Sequence, residues 1–148
     1  MKLLFLLLLV SCGKNDFLNM QGEPKKNNTD KTFLDYVKNF ETINRKIKSS
    51  IIFGDLKSPQ VGVCKKWNNS SYREVEIDRN FWNNSSDEKR EQLILHELGH
   101  CELNLDHEDS FLDDNCPASV MRSYVFFDHE INNCFVPNFK YYIDELFL

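Results

Sequence analysis

Leu93, Ile94, Leu95, Leu98 and Cys101 recur at three- and four-residue intervals, the repeat of a helix with one broad apolar face. Ser85 followed by Glu88 predicts a capping box at its start, and Asp87 and Glu88 suit the positive end of the helix dipole. Upstream, residues 61–67 and 72–77 are short runs rich in β-branched and aromatic side chains. Asn68-Asn69-Ser70-Ser71 separates them with turn chemistry, so the pair predicts a hairpin. Residues 51–53 add a short strand ended by Gly54-Asp55. Phe33, Tyr36, Val37, Phe40, Ile43 and Ile47 lie at helical spacing and predict an amphipathic helix over 32–48, packed on the sheet. Pro137 opens a last helix through residue 146, presenting Phe139, Tyr142, Ile143 and Leu146 to the interior. The pattern predicts an α+β domain over 31–148: a helix, a small sheet, a central helix, a loop and a C-terminal helix.

The first thirty residues follow another logic. Met1-Lys2 and the apolar run 3–10 form a charged start and a core too short to span a bilayer, as in an export signal over 1–11. Leu9-Val10-Ser11-Cys12 resembles the lipobox of bacterial lipoproteins. That resemblance implies cleavage before Cys12, lipidation of Cys12, and an exported, membrane-anchored lipoprotein of the cell envelope. Gly13 lacks the aspartate that commonly retains lipoproteins at the inner membrane, which favours the outer membrane or cell surface. Residues 12–30, polar and carrying Lys25-Lys26-Asn27-Asn28, are expected to be a flexible tether.

Of five cysteines, four remain once Cys12 is set aside, an even number that favours two disulfides in an exported chain. Three pairings are open. The favoured one joins Cys64 to Cys101, stapling the hairpin to the central helix, and Cys116 to Cys134, closing a loop-rich segment that a small core holds poorly. A cysteine zinc site is disfavoured, since no Cys-x-x-Cys unit occurs. The formal charge of −5 is only moderately acidic, and no basic stripe with interleaved aromatics points to nucleic acid. A monomer is expected. Asp106, Glu108, Asp109, Asp113 and Asp114 form an acidic loop without calcium-loop spacing, so a solvated run is the simpler account and a calcium site the alternative.

The chemistry concentrates in residues 96–107, His-Glu-Leu-Gly-His-Cys-Glu-Leu-Asn-Leu-Asp-His, which hold three of the chain's four histidines. On a helix His96 and His100 stand one turn apart on one face, able to share a metal ion, with Glu97 beside them to handle a proton of metal-bound water. An unbroken helix would carry His107 roughly 16 Å along the axis from His96. The helix must therefore end and fold back, and Asn104, which tolerates left-handed backbone angles, stands where it can do so.

This segment resembles the zinc-binding stretch of the metzincin metallopeptidases, His-Glu-x-x-His-x-x-Gly-x-x-His, with one residue inserted after His100. In that alignment Leu-Asn-Leu-Asp-His matches the family's Leu-Gly-Leu-Asp-His, placing Asn104 at the glycine and His107 at the third ligand. A strict count puts Leu103 and Asp106 there instead, which keeps Asp106 as the alternative third ligand. Ser119-Val120-Met121 resembles the Met-turn, whose methionine lies beneath the metal. Tyr124 stands one residue late for a metal-binding or transition-state tyrosine and is read as structural. His129 is read as a surface residue, and Glu130 is a third-ligand option only in a different zincin arrangement.

The resemblance implies a small zincin-like fold with a short mixed sheet, a central metal-binding helix, a Met-turn and a C-terminal helix, and a Zn2+ cofactor held by His96, His100 and His107. It also implies a zinc-dependent endopeptidase, with Glu97 as the general base, acting on a peptide or protein substrate that pairs with an edge strand. The alternative is a non-catalytic, zinc-stabilised binding lipoprotein. Against it stands Glu97, since a structural zinc has no need of that carboxylate and usually has four protein ligands.

Overall fold

Residues 18–43 and 46–148 are described by a computed structural model. The export signal expected over 1–11 and the expected lipidation site, Cys12, lie outside the described residues. The hairpin forms from β3 (Gly62–Trp67) and β4 (Arg73–Asp78), which pair antiparallel, while β2 (Ser50–Gly54) lies parallel to β4. A further strand, β1 (Leu18–Met20), runs parallel to the far end of β3 and gives a four-stranded mixed sheet of order β1-β3-β4-β2. From residue 18 onward, then, the chain is not a free tether. Asn27 donates from Nδ2 to Glu74, Asp30 N donates to the Ile51 carbonyl, and Thr29 Oγ1 accepts from Ile51 N. Composition misses this because these contacts are polar and the strand is only three residues long.

The register sets which face of the sheet is buried. Gly62 and Cys64 lie opposite Ile77 and Val75, which in turn lie opposite Phe53 and Ile51, so all six share one face. Ile51, Cys64, Val75 and Ile77 are fully buried there. The first helix begins as a 3-10 turn (Lys31–Phe33) capped by Asp30 and continues as α1 (Leu34–Ile43), burying Phe33, Val37 and Phe40. It stops short of the expected residue 48, where the chain is drawn away from the helix axis: Glu102 accepts from the amides of Lys48 and Ser49. A short α2 (Arg79–Asn83), not predicted from the pattern, starts at Asp78, whose carboxylate accepts from Phe81 N at 2.7 Å. It buries Trp82 edge-on against Phe33 and Tyr36.

The central helix α3 (Asp87–Leu98) is capped by Ser86 rather than Ser85. Ser85 is engaged by the preceding helix, donating from its amide to Trp82 O and from its hydroxyl to Phe81 O. After Leu98 the helix widens into a π-helical turn, Gly99–Leu103, and ends at Asn104 with φ 56° and ψ 35°. Leu93, Ile94, Leu95 and Leu98 are all buried against the sheet and the terminal helix α5 (Phe139–Leu146). Full burial of each such side chain is worth about 1.5–3 kcal/mol. Ahead of α5 lie a single α-turn, α4 (Asp128–Glu130), and a second π turn, Ile131–Phe135. Cys64 is bonded to Cys101 and Cys116 to Cys134. Among the described residues no helix is long and apolar enough to cross a membrane.

Candidate metal centre

α3 delivers His96 from its buried face, the π turn that continues it delivers His100, and the chain returning after Asn104 delivers His107. His96 and His100 are each 1% exposed, and His107 is half-buried at the surface end of the group. Nε2 of His100 lies 3.0 Å from Nε2 of His96 and 3.2 Å from Nε2 of His107, and the ligand atoms of all three fall within 4.8 Å of one another. The rings of His96 and His100 meet at 87° and those of His100 and His107 at 79°, so three nitrogens converge on one point from different directions.

The rear of each helical imidazole fixes its protonation. Nδ1 of His96 lies 2.8 Å from the Val120 carbonyl, and Nδ1 of His100 lies 2.7 Å from the Leu105 carbonyl. A carbonyl oxygen only accepts, so each Nδ1 carries the hydrogen and each Nε2 of the neutral ring presents its lone pair to the cluster. Burial holds the His96 imidazolium well below its ordinary pKa, helped by the neighbouring His100 and His107 and opposed by the bond to Val120. Facing lone pairs at 3 Å repel one another unless a cation lies between them. The donor set therefore fits a metal ion, and neutral imidazoles backed by carbonyls are the form that binds one.

His107 is brought in by the turn. Asn104 and Leu105 both donate to the Gly99 carbonyl, closing the π turn in the left-handed conformation at Asn104. Relative to the His-Glu-x-x-His-x-x-Gly-x-x-His spacing the chain has one extra residue, and a π turn, wider than an α turn by one residue, takes it up. Glu108 N then donates to the Met121 carbonyl at 2.9 Å and pins the residue after His107 to the Ser119–Met121 segment. Asp106 is exposed and lies outside the histidine group. Met121 is buried beneath the helix, its sulfur close enough to Gly99 that an added Cβ there would sit 2.3 Å from it.

Glu97 is 1% exposed and lies over β3. A Cβ at Gly62 would stand 2.3 Å from its Oε1, so only a glycine lets the carboxylate occupy this place. Gly62 does not stand out in the apolar pattern, although it carries a signal: a glycine inside a strand marks close approach of another group. Gln92 and the carbonyls of Val120 and Leu105 do not stand out either, the carbonyls because backbone atoms have no residue type to read.

The remaining candidates have structural partners. Glu130 is buried against Arg122, with Arg122 Nη1 donating to Oε1 at 2.7 Å and Phe127 N to Oε2 at 2.8 Å. Tyr124 packs under the Arg122 guanidinium, 3.9 Å from its ring centroid, and against Phe127. His129 is exposed and stacks on Phe127. In the acidic loop Glu108 accepts from Ser110 N and Asp114 from Cys116 N, each closing a local turn, while Asp109 accepts from the amide and hydroxyl of Ser123 and ties the loop to the segment after Met121.

A comparison with family profiles matches residues 18–132 to the family described as putative phage metallopeptidase, a span that includes the histidine group, Glu97 and Met121. No curated protein and no solved structure matches the chain.

Proposed function

Since the chain belongs to the family described as putative phage metallopeptidase, we propose that it is a zinc-dependent endopeptidase. The observation that carries the reading is the convergence of His96, His100 and His107 beside a buried glutamate on the same helix. Three neutral imidazoles suit zinc, which in catalytic sites takes three protein ligands and keeps one position open. Bound there, the ion supplies Lewis acidity toward a carbonyl oxygen and makes water a stronger acid.

The chain's own residues do the rest. His96 and His100 are held in one tautomer by Val120 and Leu105, so their metal-facing nitrogens need no reorganisation. Glu97, next in sequence to His96 and backed by Gly62, accepts a proton from the attacking water and returns it to the departing amine. Among the described residues β1 pairs with β3 at Lys65, Lys66 and Trp67. In this reading the substrate is an extended peptide that adds as a strand along β3 beside Gly62, the residue that adjoins Glu97.

The proposal includes export and lipid anchoring at Cys12. It rests on residues 1–12 and is supported by two disulfides, which persist in oxidising compartments. Loss of incorporated labelled palmitate on Cys12→Ala tests the anchor.

For the enzyme, Glu97→Gln is expected to retain zinc and abolish cleavage of a mixed peptide library, and His100→Ala to lose the metal. Gly62→Ala, which displaces the Glu97 carboxylate, is expected to retain zinc while turnover falls by about a hundredfold, the scale of a general-base contribution. Full proteolysis by the glutamine variant would sink the assignment. Failure of the zinc-loaded wild type to cleave any member of the library would favour the zinc-stabilised binding module.

A further inference from the structure

Gln92 stands immediately before the apolar run Leu93-Ile94-Leu95 of α3 and is itself only 1% exposed. It precedes His96 by one helical turn, so the two side chains leave the helix on the same face. Both reach one atom. Nε2 of Gln92 lies 3.4 Å from the Val120 carbonyl oxygen, and Nδ1 of His96 lies 2.8 Å from it. A carbonyl oxygen has two lone pairs and can accept from both, and only the NH2 end of the amide can face it, which fixes how Gln92 is turned. Its Oε1 is then buried with no hydrogen-bond partner among the described residues. A buried amide oxygen in that state opposes stability, and a methionine or leucine would fill the same volume without it. Packing alone gives no reason for a glutamine here; the bond made by its other end does.

We propose that Gln92 is a positioning residue of the metal centre. Its amide holds the Val120 carbonyl from the α3 side, and through that carbonyl it fixes the Nδ1–H tautomer and the ring orientation of His96. The same peptide is braced from behind, where Met121 N donates to Ser119 Oγ at 3.0 Å and Ser119 Oγ donates to Glu145 at 2.9 Å. Gln92 thus ties the Ser119–Met121 segment to the helix one turn before the first ligand. The inference rests on the metal-binding part of the reading above and not on its peptidase chemistry.

The test uses Gln92→Met and Gln92→Leu, which keep the volume and remove the donor. Zn2+ affinity is measured by competition with a chromophoric chelator, metal-free stability by urea unfolding, and ligand geometry by the visible spectrum of the Co2+-loaded protein. Both variants are expected to bind Zn2+ about tenfold more weakly, the scale seen when a partner behind a ligating histidine is lost. Their metal-free stability should be unchanged or higher, and their Co2+ bands shifted. Wild-type zinc affinity and an unshifted Co2+ spectrum in both variants overturn the proposal and leave Gln92 to packing. Absence of zinc binding by the wild type overturns it together with the metal reading, whereas a wild type that binds zinc and cleaves nothing sinks only the peptidase reading.

Discussion

The two walls of the histidine cluster are built in opposite ways. One is α3 with its π turn, repetitive structure pressed on the sheet by Leu93, Ile94 and Leu98 and stapled to β3 by Cys64–Cys101. The other runs from 104 to 127 without a helix or strand of its own. That wall is held by separate contacts: the bridge Phe111–Pro117, the bond from Glu108 to Met121, the Arg122–Glu130 pair and Cys116–Cys134. The helical wall supplies two histidines of the group in fixed relation as a consequence of helix geometry. The loop wall supplies the third histidine and the Val120 carbonyl that orients His96, and each needs its own restraint. Damage to the first wall should therefore spread through the whole fold, while damage to the second should show first in metal affinity.

The sharpest way to break this contrast is to remove comparable stabilisation from each side. Arg122 and Glu130 are 5% and 7% exposed in their side chains, so Glu130→Ala leaves a buried guanidinium without its carboxylate and should cost about 3–5 kcal/mol. Leu93→Ala, at a site with no exposure, should cost about 2–5 kcal/mol through the cavity it leaves. Urea unfolding of the metal-free protein measures both, and chelator competition then separates them. Glu130→Ala should also weaken zinc binding, because Arg122 adjoins Met121, whose carbonyl anchors Glu108. Leu93→Ala should leave zinc affinity near wild type wherever the protein is folded. Equal affinity losses in the two variants would show that the walls are not independent.

The disulfides sharpen the same contrast at comparable cost. Loop-closure entropy gives about 4 kcal/mol for the Cys64–Cys101 crosslink and about 3 kcal/mol for Cys116–Cys134, from sequence separations of 37 and 18. The larger loss, in Cys64→Ala/Cys101→Ala, should lower the urea midpoint more and zinc affinity less. The smaller, in Cys116→Ala/Cys134→Ala, should do the reverse, since it loosens the segment bearing Val120 and Met121. If affinity simply tracks global stability in both, the loop wall has no separate role.

The two walls also differ in how far they can be read from sequence. The hairpin, α3 and α5 are legible because burial imposes a period on their apolar residues, and the helical pair His96 and His100 is legible because its spacing is that of one turn. β1 is not, since the three residues Leu18–Met20 are too few to establish an alternation and are ordered by pairing with β3. Neither is α2, whose five residues are too few for a period and whose one signal is the cap at Asp78. In the loop wall the order of residues shows that a turn must fall near Asn104, but not which carbonyls lie behind the imidazoles. The one-residue shift of the α3 cap shows the same limit: Ser85 and Ser86 are chemically alike, and what separates them is that Ser85 donates from its hydroxyl to Phe81 O and from its amide to Trp82 O.

The smallest expected effect concerns the joint where the walls meet. Asn104 sits at φ 56°, a conformation that an alanine enters at a cost of about 1–2 kcal/mol and a glycine enters without a Cβ clash. Its side chain also accepts from Lys66 Nζ at 3.1 Å, an exposed contact that both substitutions remove. The difference between Asn104→Ala and Asn104→Gly therefore isolates the backbone. Asn104→Ala should be about 1 kcal/mol less stable than Asn104→Gly by urea unfolding. It should also bind zinc more weakly, because the strain falls on the turn that carries both Leu105, the carbonyl behind His100, and His107. Asn104→Gly should hold zinc as the wild type does. Were the two variants to bind zinc alike despite that stability gap, His107 would be placed by the loop wall's own contacts, and the turn would only permit its return.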